Sequence, residues 1–495
     1  MGIIIKQSLR GSIWSYLGLI VGYINVGIIM PNFFQPEQIG LTQIFLAIST
    51  IFSNFSSLGF GGVINRMFPE FRNKDKSHNG FLFVLLATGL TGFILSTVAF
   101  FILKPSIVEG NMEKSPLLVE YIFLLVPLIF FRILFRLLDN YNRVLYDAVT
   151  GAFWNEFVHK TINLALIILF SFELIEFRDF FYGYVISLSL PVFPIIIVLI
   201  RRGEFNVKPQ LNFLTRPLVR EMALVSTFGI INGLSGVLTN NIDKLLINKY
   251  LSLEYVGIFS VCALFASILF VPSRSTVKIA VGIIAQAWKD NNTDKIQEIY
   301  KKASLTQTII GTLIFAGILV NLNSIFTILP ERYALGKWVL IIYSFGMLIR
   351  VSNTTGGNII STSKYYRVMA LIIASQIIYT VLFHTTFIPM WGITGAAIAV
   401  LMTYFVRSLI VVTYLKVKMG FFCYSYKHLL VLIFAAVSVL LARLIPDSKY
   451  LVLNILIKSG TVTILYTSVI VGLNVSDEIT ELYRKGITLI LSKFK

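Results

Sequence analysis

Fourteen apolar runs follow one another along the 495-residue chain, separated by short polar segments. An α-helix needs about 20 apolar residues to cross the hydrocarbon core of a bilayer, and the runs are close to that length or longer. Their polarity does not alternate as in barrel strands, so we predict membrane-spanning helices. The predicted spans are Leu9–Met30, Leu41–Ile64, Gly80–Leu103, Leu118–Leu138, Gly151–Phe172, Phe180–Ile200, Met222–Ile247, Tyr255–Ile284, Ala303–Leu329, Trp338–Ser361, Val368–Ile388, Ile393–Tyr414, Leu429–Ile445 and Tyr450–Leu473.

Two of these runs, the second and the eighth, open with nearly the same residues. The stretches FFQPEQIGLTQIF and YLSLEYVGIFSVC share a glutamate and a glycine at one constant separation, from Glu37 to Glu254 and from Gly40 to Gly257, which we call the repeat offset. An acidic side chain in the first turn of a helix opposes the positive end of the helix dipole. Because each stretch opens the second span of a six-span half, we predict two parallel repeats, a common transporter plan.

The longest polar connection, Arg201–Arg220, lies between the sixth and seventh spans and is interpreted as the joint between the two halves. We therefore predict an all-α integral membrane protein with three parts. These are an N-lobe of residues 1–208, a C-lobe of residues 209–418, and residues 419–495 with the last two helices and a tail.

Composition supports a multi-pass membrane protein, since 56% of the residues are hydrophobic, 13% are charged and the mean hydropathy is +0.81. The formal charge of +18 is explained by Lys and Arg residues that collect on alternate connections. Cytoplasmic loops carry this excess in membrane proteins, so we place both termini in the cytoplasm and predict no nucleic-acid partner.

The sequence contains no pattern typical of a membrane enzyme. The predicted external loops are short, and we find no HExxH, no GxSxG and no phosphate-binding glycine loop. The histidines and the two cysteines are scattered: His78, His159, His384, His428, Cys262 and Cys423. We predict no catalytic residue, no metal site, no disulfide framework and no cofactor.

Charged residues inside predicted spans are the candidates for function, because a charge at mid-membrane costs about 2.5–3.5 kcal/mol or more. In the N-lobe, two helical stripes carry such groups. They either pair with each other near the cytoplasmic surface or face a cavity. We predict Arg132, Arg136 and Arg66 as substrate-binding residues and Asp139, Glu156 and His159 as coupling residues.

The C-lobe carries buried cations without an acidic residue one helical turn away. The polar stretch RVSNTTGGNIISTS, which follows the tenth span's centre, offers amides and hydroxyls to a sugar. We predict Arg274, Lys278, Arg350, Arg407, Asn353 and Asn358 as substrate-binding residues, and Asp243 on the seventh span as a further coupling residue.

Three stretches accompany the count of twelve plus two helices: NIDKLLINKYLSLEYVGIFSVCALF, FIPMWGITGAAIAVLMTY and the link PEQIGL. They resemble the polysaccharide biosynthesis flippases, which export O-antigen-type lipid-linked oligosaccharides and belong to the multidrug/oligosaccharidyl-lipid/polysaccharide (MOP) superfamily. The resemblance covers essentially the whole chain. It implies two six-helix lobes around a cavity, and alternating access that flips an undecaprenyl-diphosphate-linked oligosaccharide across the bacterial cytoplasmic membrane for surface polysaccharide assembly.

The resemblance also implies partners. These are membrane lipids, the lipid-diphosphate-linked glycan, a proton or sodium as coupling ion, and a polysaccharide polymerase. From the residues, we expect Arg274 and Arg350 to bind the diphosphate, since arginine offers a planar fork to an anion.

Three alternatives stay open. A multidrug exporter of the same superfamily would take organic cations and need buried carboxylates, especially in the first span, which has none. A lipid II flippase would share the basic cavity. A membrane glycan polymerase would need catalytic groups on a sizeable external loop.

Overall fold

The computed structural model describes residues 2–481 and 483–485, which contain helices and no β-strand. Among these, the side chains of residues 2–6, 8, 9, 231, 232, 234, 275 and 278 lie outside the description. In the first part of the chain the helices are α1 Arg10–Phe33, α2 Pro36–Ser56, α3 Phe60–Phe71, α4 Phe81–Asn111, α5 Pro116–Val144, α6 over residues 149–171, α7 Phe177–Arg201, α8 Arg216–Thr239 and α9 Ile242–Tyr250.

The remaining helices are α10 Leu253–Ser267, α11 Val271–Lys289, α12 Thr293–Val320, α13 Leu322–Ile328, α14 Lys337–Ser352, α15 Thr354–Thr362, α16 Tyr366–Met419, α17 Tyr426–Arg443 and α18 Leu451–Gly472. The predicted all-α membrane fold is therefore confirmed.

Twelve helices of the described chain are long and apolar enough to cross a membrane. The 54-residue α16 among them breaks at Trp391 and Gly392, where φ is −133° and +58°, so it holds two predicted spans. The fifth predicted span forms α6, a helix that carries charged residues and is absent from those twelve. The count of fourteen is accordingly approximate.

The residues at the start of α2 are those that favour a helix N-terminus. Pro36 occupies the first turn, where its missing N–H costs no hydrogen bond. Gln35 and Gln38 cap each other's backbone amides, and Glu37 lies in the first turn. In the second repeat, Glu254 likewise lies in the first turn of α10.

The described residues divide into two compact units, which we call unit 1 (Met1–Val261) and unit 2 (Cys262–Lys495). The boundary lies inside α10. Unit 1 therefore includes α8 and α9, which pack against α2 and α3. The division into lobes of residues 1–208, 209–418 and 419–495 describes the repeats of the sequence, and it stays a prediction.

The repeat offset extends to the helices of both halves. Shifted by this offset, α6 and α7 coincide with the two parts of α16 to within about two residues, well inside the uncertainty of helix ends. The π-helical segment Ile24–Ile29 of α1 corresponds to residues 241–246, which begin at the break between α8 and α9 and continue into α9. Irregular backbone thus recurs near the equivalent position of each repeat.

The two repeated stretches contact each other in unit 1, through backbone atoms. A Cβ atom added to Gly40 would lie 1.9 Å from the carbonyl oxygen of Leu253, and one added to Gly257 would lie 1.9 Å from that of Pro36. Pro36 and Leu253 are themselves equivalent positions, so the contact is reciprocal. The shared glycine of the motif is therefore explained by the close crossing of α2 and α10.

The connection between the sixth and seventh spans is packed against the rest of unit 1 over much of its length. Glu204 Oε2 lies 2.6 Å from Nε2 of the buried His78. Gln210 donates a hydrogen bond to Ser77 Oγ at 3.2 Å. The predicted joint, Arg201–Arg220, is therefore held by polar contacts to the loop after α3.

Candidate functional site

Unit 2 contains a cavity of about 160 Å³ between α14, α15 and the second part of α16. It is lined by two arginines, three small polar residues and an aromatic pair, with apolar residues between them. The lining residues are Phe270, Ile349, Arg350, Asn353, Thr354, Gly357, Tyr404, Arg407, Ser408 and Val411. No carboxylate is among these ten residues.

Arg350 is held between two aromatic rings at the edge of this cavity. Its guanidinium carbon lies 4.3 Å from the centroid of the Phe270 ring and 5.0 Å from that of Tyr404. One Nη donates a hydrogen bond to the Tyr404 hydroxyl at 2.9 Å. Cation–π contacts of this kind stabilise a partly desolvated guanidinium without neutralising its charge.

Arg407 provides the second positive charge of the cavity. Its guanidinium approaches Gly357, where an added Cβ atom would lie 3.9 Å from Nη2. Among the described residues it has no hydrogen-bond or ion-pair partner, and the charge of Arg350 repels it. Two desolvated cations without a counter-ion are costly, so this cavity favours an anion.

The break between α14 and α15 places the polar stretch beside the two arginines. Asn353 sits at the break with φ −120°, accepts a hydrogen bond from Tyr300 at 2.8 Å and donates to Ser408 Oγ at 3.1 Å. Its amide is therefore fixed in place. Thr354 begins α15, whose first-turn amides carry the partial positive charge of a helix start.

Two other predicted residues of this half, Arg274 and Asn358, lie outside the cavity lining. Arg274 is exposed, and its guanidinium carbon lies 5.9 Å from the Phe270 ring centroid, outside the cavity lining. Asn358 is partly buried on α15, with its Nδ2 unpaired in the described chain and outside the lining. The side chain of Lys278 lies outside the described residues.

Unit 1 contains a second polar cavity, of about 230 Å³, between α2, α5 and α6. It is lined by arginines, amides and hydroxyls, with one carboxylate. The lining residues are Thr50, Ser53, Arg132, Phe135, Arg136, Asp139, Asn140, Arg143 and Asn155. The structure therefore brings the predicted residues Arg132, Arg136 and Asp139 together.

Among the described residues, no ion pair joins the two charged stripes of this half. Asp139 pairs with Arg143 on its own helix at 2.7 Å, and Glu156 pairs with Lys160 on its own helix at 3.4 Å. Partners four residues apart therefore satisfy these four charges, although Glu156 also attracts Arg132 of the other stripe. Mutual pairing and a role in a cavity both stay predictions.

The remaining coupling candidates are held by local contacts. Asp139 Oδ1 lies against Gly151, since a Cβ atom added to this glycine would come within 1.7 Å of the oxygen. The same oxygen, Oδ1, has no hydrogen-bond partner in the described chain. His159 is partly buried, and its ring interacts with the backbone of Asn155. Asp243 accepts a hydrogen bond from the backbone amide of Lys244 at 2.8 Å, whose side chain reaches Gln43.

Arg66 lies on the surface of unit 1 rather than in either cavity. Its side chain is 70% exposed and pairs with Glu221 at 3.3 Å. Since exposed ion pairs contribute about 0–1 kcal/mol, this contact is a weak tie between α3 and α8.

Sequence reasoning missed the aromatic and small polar members of the unit 2 cavity, namely Phe270, Tyr404 and Ser408. Such residues are common in apolar spans, so nothing distinguishes these three along the chain. Arg350 and Arg407, which are far rarer inside a membrane, were the signal available to sequence analysis.

A family model of polysaccharide biosynthesis proteins matches residues 8–281, which is more than half of the chain. No curated protein sequence is similar enough to this chain to count as a match.

Solved structures share the fold at low sequence identity. The lipid II flippase MurJ in an inward closed conformation matches with a TM-score of 0.72 and 14% identity, over 95% of this chain and 99% of that chain. An inward-facing multidrug resistance MATE family transporter of the MOP superfamily matches with a TM-score of 0.62 and 14% identity, over 81% and 94%. A MATE structure in complex with MaL6 matches with a TM-score of 0.54 and 14% identity, over 84% and 96%.

At 14% identity, these solved structures show which fold this chain has. Because the family match covers more than half of its length, this multi-pass membrane protein belongs to the polysaccharide biosynthesis protein family, and its fold is that of the MurJ and MATE transporters.

Proposed function

We propose that this protein is a flippase that moves an undecaprenyl-diphosphate-linked oligosaccharide from the inner to the outer leaflet of the bacterial cytoplasmic membrane by alternating access. One observation carries the proposal: Arg350 and Arg407 line one cavity that has no carboxylate in its lining. A diphosphate leaving water needs charge-assisted hydrogen bonds, and these two guanidiniums supply them.

The surroundings of the cavity support the same ligand class. Asn353 and Ser408 place an amide and a hydroxyl next to the arginines, and such groups hydrogen-bond to sugar hydroxyls. The start of α15 adds amides at a positive helix end, which favours phosphate oxygens. An organic cation, the substrate class expected for a multidrug exporter, would be repelled by Arg350 and Arg407.

Deletion of the gene tests the proposal. We expect one surface polysaccharide to disappear and its lipid-linked repeat unit to accumulate, with both effects reversed by re-expression of the intact chain. If the deletion is lethal with arrest of peptidoglycan synthesis, the cargo is lipid II, the substrate named for the similar MurJ structure. Unchanged surface glycans in a viable deletion strain contradict the proposal.

We also propose that both termini are cytoplasmic, and single cysteines test this orientation. Cysteines at Lys74 and Asp290, both exposed, should resist an impermeant thiol reagent in intact cells. Cysteines at Met112 and Leu335, which are 63% and 62% exposed, should react. The native cysteines are buried, so the background is low. The reverse labelling pattern would require the opposite orientation.

A further inference from the structure

The basic cavity of unit 1 lies at positions equivalent to those of the unit 2 cavity. Under the repeat offset, four lining residues of one correspond to four lining residues of the other. The corresponding pairs are Ser53 and Phe270, Arg132 and Ile349, Arg136 and Asn353, and Asn140 and Gly357. Each repeat has thus kept a cavity at the same place and filled it with its own polar groups.

Charge is not balanced in the unit 1 cavity. Arg143 is neutralised by Asp139 at 2.7 Å. Arg132 donates a hydrogen bond to the neutral Thr50 hydroxyl at 3.0 Å and makes no ion pair in the described chain, although Glu156, which pairs with Lys160, attracts its charge. Arg136 has neither a hydrogen-bond nor an ion-pair partner there, and the charge of Arg132 repels it.

Two partly buried guanidiniums one helical turn apart disfavour each other unless an anion lies between them or water solvates them. The neighbouring groups indicate which anion fits. Asn140, Asn155, Ser53 and Thr50 add amides and hydroxyls to the lining, the groups that hydrogen-bond to sugar hydroxyls. An arginine fork matches the planar geometry of a carboxylate.

We propose that the unit 1 cavity binds a carboxylate-bearing sugar of the transported glycan, an inference that rests on the proposed function. The substrate is then a lipid-linked oligosaccharide with an acidic sugar. Arg136 is the main ligand of the carboxylate, because its guanidinium is unengaged. Arg132 contributes its charge from its fixed position beside Thr50. The unit 2 cavity binds the diphosphate, which every lipid-diphosphate-linked glycan carries.

The test uses two undecaprenyl-diphosphate-linked disaccharides that differ by one carboxylate, one ending in glucuronate and the other in glucose. Both are titrated against the full-length protein in lipid nanodiscs at fixed ionic strength. We expect the wild type to bind the glucuronate lipid at least tenfold more tightly. Arg136→Gln should bring the ratio of the two dissociation constants close to 1.

Arg136→Lys keeps the charge and most of the volume, so it should show an intermediate ratio and report on the cavity even if Arg136→Gln folds poorly. Arg178→Gln, an exposed arginine of the same unit, should keep the wild-type ratio. A wild type that binds both lipids equally, or a wild-type ratio in both Arg136 variants, overturns the inference.

The same titrations separate this inference from the proposed function. Arg407→Gln should weaken binding of both lipids by a similar factor, because both carry the diphosphate. If the wild type binds neither lipid, the proposed function itself is wrong. If it binds both equally and Arg407→Gln weakens both, the flippase proposal stands and the acidic-sugar assignment is overturned.

Discussion

Replacing Arg407 or Arg350 with alanine is expected to lower export of the surface glycan roughly 10- to 100-fold at matched membrane abundance. Each charge-assisted hydrogen bond contributes about 1.5–3 kcal/mol, and about 1.4 kcal/mol corresponds to a factor of ten. Arg407 has no partner in the described protein, so its whole interaction is available to the ligand.

Conservative variants should separate charge from geometry. Arg407→Lys keeps the charge but loses the planar fork, so partial export is expected. Arg350→Lys should recover less, because lysine cannot reproduce the guanidinium stacked between Phe270 and Tyr404. The measurement is restoration of surface glycan in a deletion strain by each variant.

Two further arginines serve as comparisons. Arg367→Ala, at an exposed position of unit 2, should export normally. Arg274→Ala should lose less than Arg407→Ala, because Arg274 is exposed and lies outside the cavity lining. Normal export by both the Arg350 and the Arg407 alanine variants would mean that these arginines do not bind the substrate.

The second large effect is expected at the crossing of the repeated stretches. Gly40→Ala should destabilise the protein by about 1–3 kcal/mol, since its Cβ atom would lie 1.9 Å from the Leu253 carbonyl oxygen and α2 and α10 would have to separate. Gly257→Ala should destabilise the protein to a similar extent, because its Cβ atom would clash with the carbonyl oxygen of Pro36. The two losses should not add, because one contact is broken by either change.

A matched control is available in Gly317, a glycine inside α12. A Cβ atom there would meet nothing within 4 Å, so Gly317→Ala should leave stability unchanged or raise it by up to about 1 kcal/mol through helix propensity. Thermal unfolding of the purified protein, followed by intrinsic fluorescence, compares the three variants. A Gly40→Ala protein as stable as the control variant would show that α2 and α10 do not cross this closely.

The helices and the repeat were predictable because their signals are local. A span is recognised by the length and polarity of one stretch, and a helix start by Pro36 and Glu37 in its first turn. The repeat offset, read from one pair of glutamates and one pair of glycines, also relates the helices of the two halves. The role of the shared glycine, Gly40 or Gly257, was not predictable, because the residue that it contacts lies in another helix.

The candidate sites were predictable only in part. Rarity of charge in a span pointed to Arg132, Arg136, Arg350 and Arg407, since each costs free energy wherever it lies in the membrane. Sequence reasoning paired Arg350 with Arg274, because both were placed deep in predicted spans without an acidic partner on the same helix, and because a polar stretch follows Arg350. The structure instead places Arg350 with Arg407 in one cavity, since α14 packs against α16.

The sequence by itself determined that this protein is a multi-pass helical membrane protein with an internal repeat, because burial in a bilayer and helix capping act on each segment separately. Only the tertiary structure decided which of the buried arginines share a cavity. Arg350 and Arg407 come together because α14 packs against α16. That contact depends on distances between side chains of different helices, which linear order does not contain, whereas the pairing of Arg143 with Asp139 joins neighbouring turns of one helix.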